Sequence, residues 1–458
     1  MNLNFGNIQG LFRTMSVFRL SLFLLLCFVL GGTSQDIVTP KLPLYLISLM
    51  IIGGCLMRLD ESSNLWKLKG LLIVLGTLFC GYLIYLVPLP PGIWSNLPGR
   101  DFIAQGYVTI GADLPWLPLS VTPEKTLFSL FDFLPAMALI LMIGTVVTSR
   151  ELRAGITTIG IFIIFSVVLG LLQVLNIADS LYLYSFTNEN SAVGFFSNAN
   201  HFGGFLLLGI PLAMCASQFS QGYDEDDSNR ILAFSIICIL TALLGIGVSG
   251  SLGSYLLIFP VLAATLFIWS GTSQKKNIFL VLIFMSIIGV FLFDMFVWGN
   301  LQEEFLAKFT SIDSTSRQTI FQNSYEMSKI YLPIGTGPGS YPDVYRLVED
   351  ATRRTVNHAH NDYIEMFAEF GIFGLVWMVA ALAWIGKNIV TALRFRRRSG
   401  RIAQYMSVGI MTIIIYSVFD YPLRTISIMT LFVFCMCILI LSNHSLSSGD
   451  GEKRGLML

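Results

Sequence analysis

The chain alternates between long apolar runs and shorter polar breaks. The runs cover roughly 15–33, 42–57, 68–88, 126–148, 154–175, 200–218, 231–249, 252–271, 277–298, 361–386, 402–419 and 425–442. Wound as helices, most of them cross the ~30 Å hydrocarbon core of a bilayer. A helix also satisfies its own backbone polar groups, which lipid cannot do. The pattern predicts an all-α, polytopic integral membrane protein with about twelve transmembrane helices and both termini on one side. Three polar breaks are long, at 89–125, 176–199 and 299–360.

Composition agrees with this reading. Of 458 residues, 54% are hydrophobic and 12% charged, and mean hydropathy is +0.72. Soluble domains carry about 25% charged residues. The formal net charge is zero, which gives no sign of a nucleic-acid partner. All seven cysteines fall inside apolar runs without a CxxC pair, so they read as small hydrophobes and not as a disulfide framework. The first run follows Arg13 and Arg19 like a signal peptide. It lacks a small-residue cleavage site before a soluble domain, and is expected to remain as a first helix.

The distribution of charge orients the spans. With the N terminus in the cytoplasm, most basic residues fall on the cytoplasmic side, and RFRRRSGR at 394–401 is the firmest anchor. The three long breaks then face outward. The expected organisation is N-terminal transmembrane helices over 1–175 with the loop 89–125, a core over 176–442 with the loop 299–360, and a cytoplasmic tail over 443–458.

Long ordered loops are where binding and catalytic groups concentrate. The first is rich in Pro, Gly and Trp and is expected to pack on the membrane face. Trp94 and Trp116 suit the interfacial belt, with stacking on sugar rings as the alternative. The second ends in GFFSNANHFGGFLLLGIP, where Asn198, Asn200 and His201 open the sixth span. Asn is a good helix cap, and His201 reads as an interfacial histidine held by the fold.

In the third loop, Ser314 or Ser316 is placed to cap a helix running to about Ile330, ended by Pro333. GTGPGS at 335–340 is a tight turn of the kind that can offer backbone N–H groups to phosphate. It is not the NTPase phosphate loop, because no GK[ST] follows. Arg317, Arg346, Arg353 and Arg354 share the loop, and arginine suits clamping a diphosphate. The acidic run Asp224 to Asp227 resembles a metal-binding DxD, but it falls on the cytoplasmic side and reads as a solvated loop.

The richest stretch is NHAHNDYIEMFAEFGIFGL, Asn357 to Leu375. It holds two of the four histidines at the mouth of a membrane helix, where polar groups are expensive. If helix begins near Asn357, then His358, Asp362, Glu365 and Glu369 share one face. His360 then points nearly opposite, beside Gly371 and Gly374, which would let a neighbouring backbone approach. A polar helix start with a packing notch would look the same, and spacing alone does not separate the two readings.

These residues carry a resemblance. His360-Asn361, nine residues, then Gly371-Ile372-Phe373-Gly374 resembles the H-N-x9-G-x-x-G pattern of bacterial O-antigen ligases and related polysaccharide polymerases. FFSNANHFGGFLLLGIP at 195–211, Arg317 with LPIGTGPGSY up to 341, and FDYPLRT at 419–425 are similar to further segments, in the same order. The resemblance covers roughly 190 to 440. It implies a GT-C-like, metal-independent, inverting glycosyltransferase without cofactor. Such an enzyme takes a glycan from undecaprenyl diphosphate and passes it to a sugar hydroxyl of lipid A-core or a growing glycan. It works at the periplasmic side of the bacterial inner membrane, in contact with membrane lipid. His360 would be the catalytic base. Arg317, Arg353, Arg424, Asn361, Asn200 and His201 are the candidates for diphosphate or glycan contact. One departure stands out: VSGSLGS at 248–254 lacks an arginine that relatives often carry there, so another basic residue would have to serve, with Arg424 or Arg353 in reach. Asp362 or Glu365 is the candidate partner for the imidazole, although the helical projection turns both away from it.

A transporter or lipid-glycan flippase would also account for many spans and interfacial charge. It predicts paired broken helices near the midplane and internal symmetry, neither of which is legible here. A non-catalytic assembly scaffold leaves His360 in its motif unexplained.

Overall fold

The structure, a computed structural model, describes residues 5–34, 38–59, 63–219, 224–270, 317–349, 356–395 and 398–447. Among these, eight helices are long and apolar enough to cross a membrane: Asn64–Tyr85, Pro123–Thr145, Ser149–Val174, Ala199–Phe219, Glu225–Ser249, Leu252–Ser270, Asp362–Leu393 and Ile426–Leu446. Two shorter apolar helices, Phe18–Leu30 and Pro40–Leu56, accompany them. The run at 402–419 forms the helix Arg398–Tyr416, and the run at 277–298 lies outside the described residues. The chain is an all-helical membrane protein. Among the described residues, regular strand is limited to one antiparallel pair, Pro88–Leu89 with Leu117–Pro118.

Two helices form the centre. In Ala199–Ala216 every residue except Asn200 is buried. It packs against Ser149–Val174, Glu225–Ser249, Leu252–Ser270 and Arg398–Tyr416. Ile426–Ser447 packs on Arg398–Tyr416, Leu134–Thr145 and Phe5–Leu30. A helix apolar on all sides is stable only when neighbours surround it. The acidic run serves its own helix. Asp224 caps Glu225–Ser249 by accepting from the Asp227 N–H, and Asp227 pairs with Arg230.

The stretch from Asn357 does not begin as helix. Residues 356–361 are irregular, His360 has φ +49°, and the helix starts at Asp362 with Asn361 as its cap. The Asn361 side chain accepts the N–H groups of Tyr363 and Ile364, which would otherwise lack partners at a helix start. Only Asp362, Glu365 and Glu369 therefore share a helical face, and His358 reaches Glu365 from the preceding loop.

That helix breaks at Gly371, where φ is +57° and ψ −138°. A Cβ there would lie 2.2 Å from the Pro333 carbonyl oxygen, so only glycine fits. The turn after Pro333 fills the break. Ile372 N–H donates to Pro333 O at 2.9 Å, Thr336 N–H to Ala368 O at 3.1 Å, and Gly337 N–H to Glu369 O at 2.8 Å. The Glu369 carboxylate accepts from the Gly339 N–H at 2.8 Å. The GTGPGS turn thus directs N–H groups at a helix break and an internal carboxylate, and not at a phosphate as its composition allowed.

The first and third long loops interlock over this turn. Val121 N–H donates to Thr336 O, and the Thr126 hydroxyl to Pro338 O. Trp94 is buried, its indole N–H donating to Pro115 O at 2.8 Å, so it belongs to the loop's own core and not to a lipid-facing belt. Trp116 is exposed. Helix Arg317–Tyr331 packs its Ile320 and Met327 with Tyr341 and Tyr345 into a separate small core. Its expected caps Ser314 and Ser316 lie outside the described residues.

Candidate active site

The candidate site forms where residues 358–362 lie against the turn 417–425. Four hydrogen bonds join them besides the one that His360 makes. Asp362 N–H donates to Ser417 O, the Asn361 amide to Val418 O, the Ser417 hydroxyl to Asp362 Oδ2, and the Leu423 N–H to the same oxygen. This holds the His360 backbone in a left-handed conformation that a non-glycine residue adopts at a cost of about 1–3 kcal/mol. Such strain persists only where the surroundings over-determine it, and it collects at functional positions.

The conformation brings His360 to Asp420. Nδ1 lies 3.3 Å from Asp420 Oδ1; the ring is partly exposed, whereas the carboxylate is 1% exposed. The same Oδ1 accepts the Tyr421 N–H at 3.0 Å. A carboxylate can only accept, so Nδ1 carries a proton towards Asp420. Burial alone would raise the Asp420 pKa. The hydrogen bond and charge of His360, followed by the charges of His201 and Arg317, outweigh it and hold this carboxyl well below the usual range.

Tyr421 gathers three histidines. His358 stacks on its ring at 4.2 Å between centroids, while His201 and His360 meet it edge-on at 4.7 and 5.1 Å. His201 is fully buried, bonded through Nδ1 to the Thr425 hydroxyl at 2.7 Å, with Nε2 4.0 Å from Asp420. It supports the site from beneath. Asn200 is half-buried; its carbonyl accepts the Tyr416 hydroxyl.

Arg424 lies on the other side of the helix start. Its guanidinium is 2.8 Å from Glu369, 3.6 Å from Glu365 and 3.9 Å from Asp362. Three carboxylates on one helical face are tolerable in a low-dielectric setting because one arginine bridges them. Arg424 is thereby engaged within the chain, as is the Asn361 side chain, whose oxygen and nitrogen both bond backbone groups. Arg317 is exposed at the start of its helix, close enough to bias Asp420. Arg353 lies outside the described residues. In the segment at 248–254, the Ser251 and Ser254 hydroxyls lie 2.8 and 3.2 Å from the Tyr416 hydroxyl.

Asp420 and Tyr421 were not singled out in the sequence, where Asp362 or Glu365 was the candidate partner of the imidazole although the helical projection turned both away from it. Asp362 bonds Ser417, and Glu365 bonds His358. The available signal was FDYPLRT, a segment with an acid beside a tyrosine at the end of a span.

The arrangement is a partly exposed histidine paired with a buried carboxylate, with Arg317 close enough to act on that carboxylate. It can take a proton from a hydroxyl. Among the described residues no group of three or more His, Cys, Asp or Glu is placed to hold a metal ion. Comparison with curated proteins returns no match. The family described as O-antigen ligase matches residues 237–379, a range that includes Arg317, His358, His360 and the H-N-x9-G-x-x-G segment. The match lies over the same motif that shapes the site, and over these residues the chain is similar to the O-antigen ligase family.

Proposed function

We propose that this protein is an inverting, metal-independent glycosyltransferase acting at the periplasmic face of a bacterial inner membrane. It moves a glycan from undecaprenyl diphosphate to a sugar hydroxyl, either of lipid A-core or of a growing chain. The observation that carries this reading is the His360–Asp420 pair at the edge of the membrane helices, set in a strained backbone.

In the transfer, the acceptor hydroxyl gives its proton to His360 Nε2 as its oxygen bonds to the anomeric carbon. The bond from that carbon to the diphosphate oxygen breaks on the opposite face, so configuration inverts. Asp420 holds the tautomer and stabilises the imidazolium that forms, as an acid does behind a histidine base generally. The diphosphate is already a good leaving group and needs positive charge more than a proton. Arg317, exposed at the start of its helix and near enough to act on Asp420, is the cation assigned to supply it in this reading, and the diphosphate bond provides the driving force, so no nucleotide is consumed.

The test uses purified protein, a lipid-diphosphate donor and a defined acceptor in EDTA without nucleotide. Transfer is expected to proceed, and His360→Ala is expected to lower it about 10²–10⁴-fold with normal insertion. Strict dependence on Mg²⁺ or Mn²⁺, or undiminished turnover by His360→Ala, overturns the reading.

A further inference from the structure

His358 carries an assignment of its own. It is 7% exposed, and both ring nitrogens face acceptors. Nδ1 lies 2.8 Å from Glu365 Oε1, and Nε2 lies 3.3 Å from the carbonyl oxygen of Ser34. A carbonyl oxygen accepts and cannot donate, so Nε2 bears a proton. Nδ1 then needs a proton as well, unless Glu365 is a neutral acid donating to it. Glu365 is placed against that alternative. Its Oε2 accepts the Ala359 N–H at 2.9 Å, and Arg424 stands 3.6 Å from Oε1. Both favour the ionised carboxylate.

We propose that His358 is a fixed imidazolium whose stacking on Tyr421 positions the catalytic pair His360–Asp420, within the transferase reading given above. The connection runs along two routes. The His358 ring lies on the face of Tyr421, inclined by 30°, where a cation is attracted to the π system. The Tyr421 N–H donates to the Asp420 oxygen that also receives His360. Along the backbone, Glu365 grips the His358 ring with one oxygen and the Ala359 N–H with the other. That grip fixes the turn that forces His360 into its left-handed conformation.

The charged and titratable groups around His358 are consistent with a cation there. Glu365, Glu369 and Arg424 line the same small polar cavity, together with Asp132. Asp362 and Glu369 are held by Arg424. His201, Asp420 and His360 surround the far side of Tyr421. Asp132 is itself paired with Lys41 at 3.3 Å, so Glu365, Glu369, Asp362 and Asp132 face the two cations Arg424 and Lys41, and carboxylates remain in excess around His358. His358 is a positioning residue and touches no reacting atom.

The chain has four histidines, which makes the test direct. Protein labelled with ¹⁵N-histidine, in lipid nanodiscs at pH 8, is expected to show a doubly protonated imidazole. The signal should survive His360→Ala and vanish in His358→Gln. Finding no imidazolium at pH 8 in the wild-type protein overturns the proposal without any variant. So does a signal that disappears with His360→Ala. In the transfer assay, His358→Gln is expected to lower kcat about 10²-fold, the scale of a misplaced reacting group. KM for the donor should change little, and His358→Arg should restore part of the rate. An imidazolium at 358 alongside an active His360→Ala would refute the transferase reading and leave the charge assignment standing.

Discussion

His360 and Asp420, sixty positions apart, meet at 3.3 Å because the adjoining ends of two neighbouring helices are laced together by Asn361, Asp362, Ser417 and Val418. Neither residue could hold this position alone. The imidazole owes its direction to a backbone angle, and the carboxylate owes its burial to the histidines and Tyr421 around it.

Asp420→Asn is therefore expected to lower transfer by about 10²–10⁴-fold while leaving insertion intact. An amide can present its N–H₂ to Nδ1 and favour the wrong tautomer. Asp420→Glu should recover part of the rate if the carboxylate reaches Nδ1. Turnover on defined donor and acceptor, with thermal stability followed in parallel, decides it. Wild-type rates for Asp420→Asn would remove the carboxylate from the mechanism.

The same pair predicts a pH response. The folded pKa of Asp420 is depressed relative to an unfolded aspartate at ~3.9. Its contribution to stability is then fully present above the unfolded value and is lost as the pH falls through the lower folded value. The imidazole N–H resonance of His360 bonded to a carboxylate should persist through pH 5 and pH 4. Loss of that resonance on going from pH 5 to pH 4 would show that Asp420 titrates as an ordinary or raised acid.

The helical class and the turn after Pro333 were legible in the sequence, because both rest on local chemistry, whereas His360-Asn361 was singled out by the resemblance and not by spacing. Apolar runs announce spans, and glycines announce a break. The start of the helix at Asp362 was within reach too, since Asn361 precedes an acidic first turn in the manner of a cap. What hid it was the irregular loop before it, where Glu365 holds His358 and the Ala359 N–H and the turn 417–425 holds His360 at a positive φ. Asp420 and the carboxylate cage of Arg424 are long-range facts. Spacing within a helix correctly gathered Asp362, Glu365 and Glu369, but nothing local tells which cation they face. Trp94 misled for a related reason: its burial depends on Pro115, folded back by a two-residue strand pair.

Gly371 is expected to tolerate no side chain. Gly371→Ala places a Cβ against the Pro333 carbonyl at a backbone angle open to glycine alone, with about 1–3 kcal/mol from the backbone before the clash is counted. The unfolding midpoint in detergent should fall clearly, whereas Gly386→Ala, with open space around its Cβ, should not lower it. Equal midpoints for the two would mean that the break in the helix is not maintained.

Orientation can be read by labelling. Cysteines placed singly at Arg317 and Arg394, in a background freed of the seven native ones, should divide by side. An impermeant reagent is expected to reach position 317 in intact spheroplasts, and position 394 only after lysis. The reverse pattern would invert the topology and put the candidate site in the cytoplasm, incompatible with the proposed donor side.

Arg424 separates two roles that predict different losses. Its guanidinium bridges Glu369, Glu365 and Asp362, and Glu369 is fully buried. Removing the cation leaves carboxylates in a poorly solvated place without compensation, a change of roughly 3–5 kcal/mol for a buried pair that loses one member. Arg424→Ala should therefore lower the unfolding midpoint and the yield of folded protein. Arg424→Lys should recover only part, because an ammonium cannot fork between three carboxylates. Adding Glu369→Gln to Arg424→Ala should restore stability, since it removes one orphaned charge along with its partner. A diphosphate contact would behave otherwise: Arg424→Ala would stay as stable as the wild type, its KM for the donor would rise, and Glu369→Gln would bring no rescue. That second outcome would move Arg424 from the scaffold to the substrate.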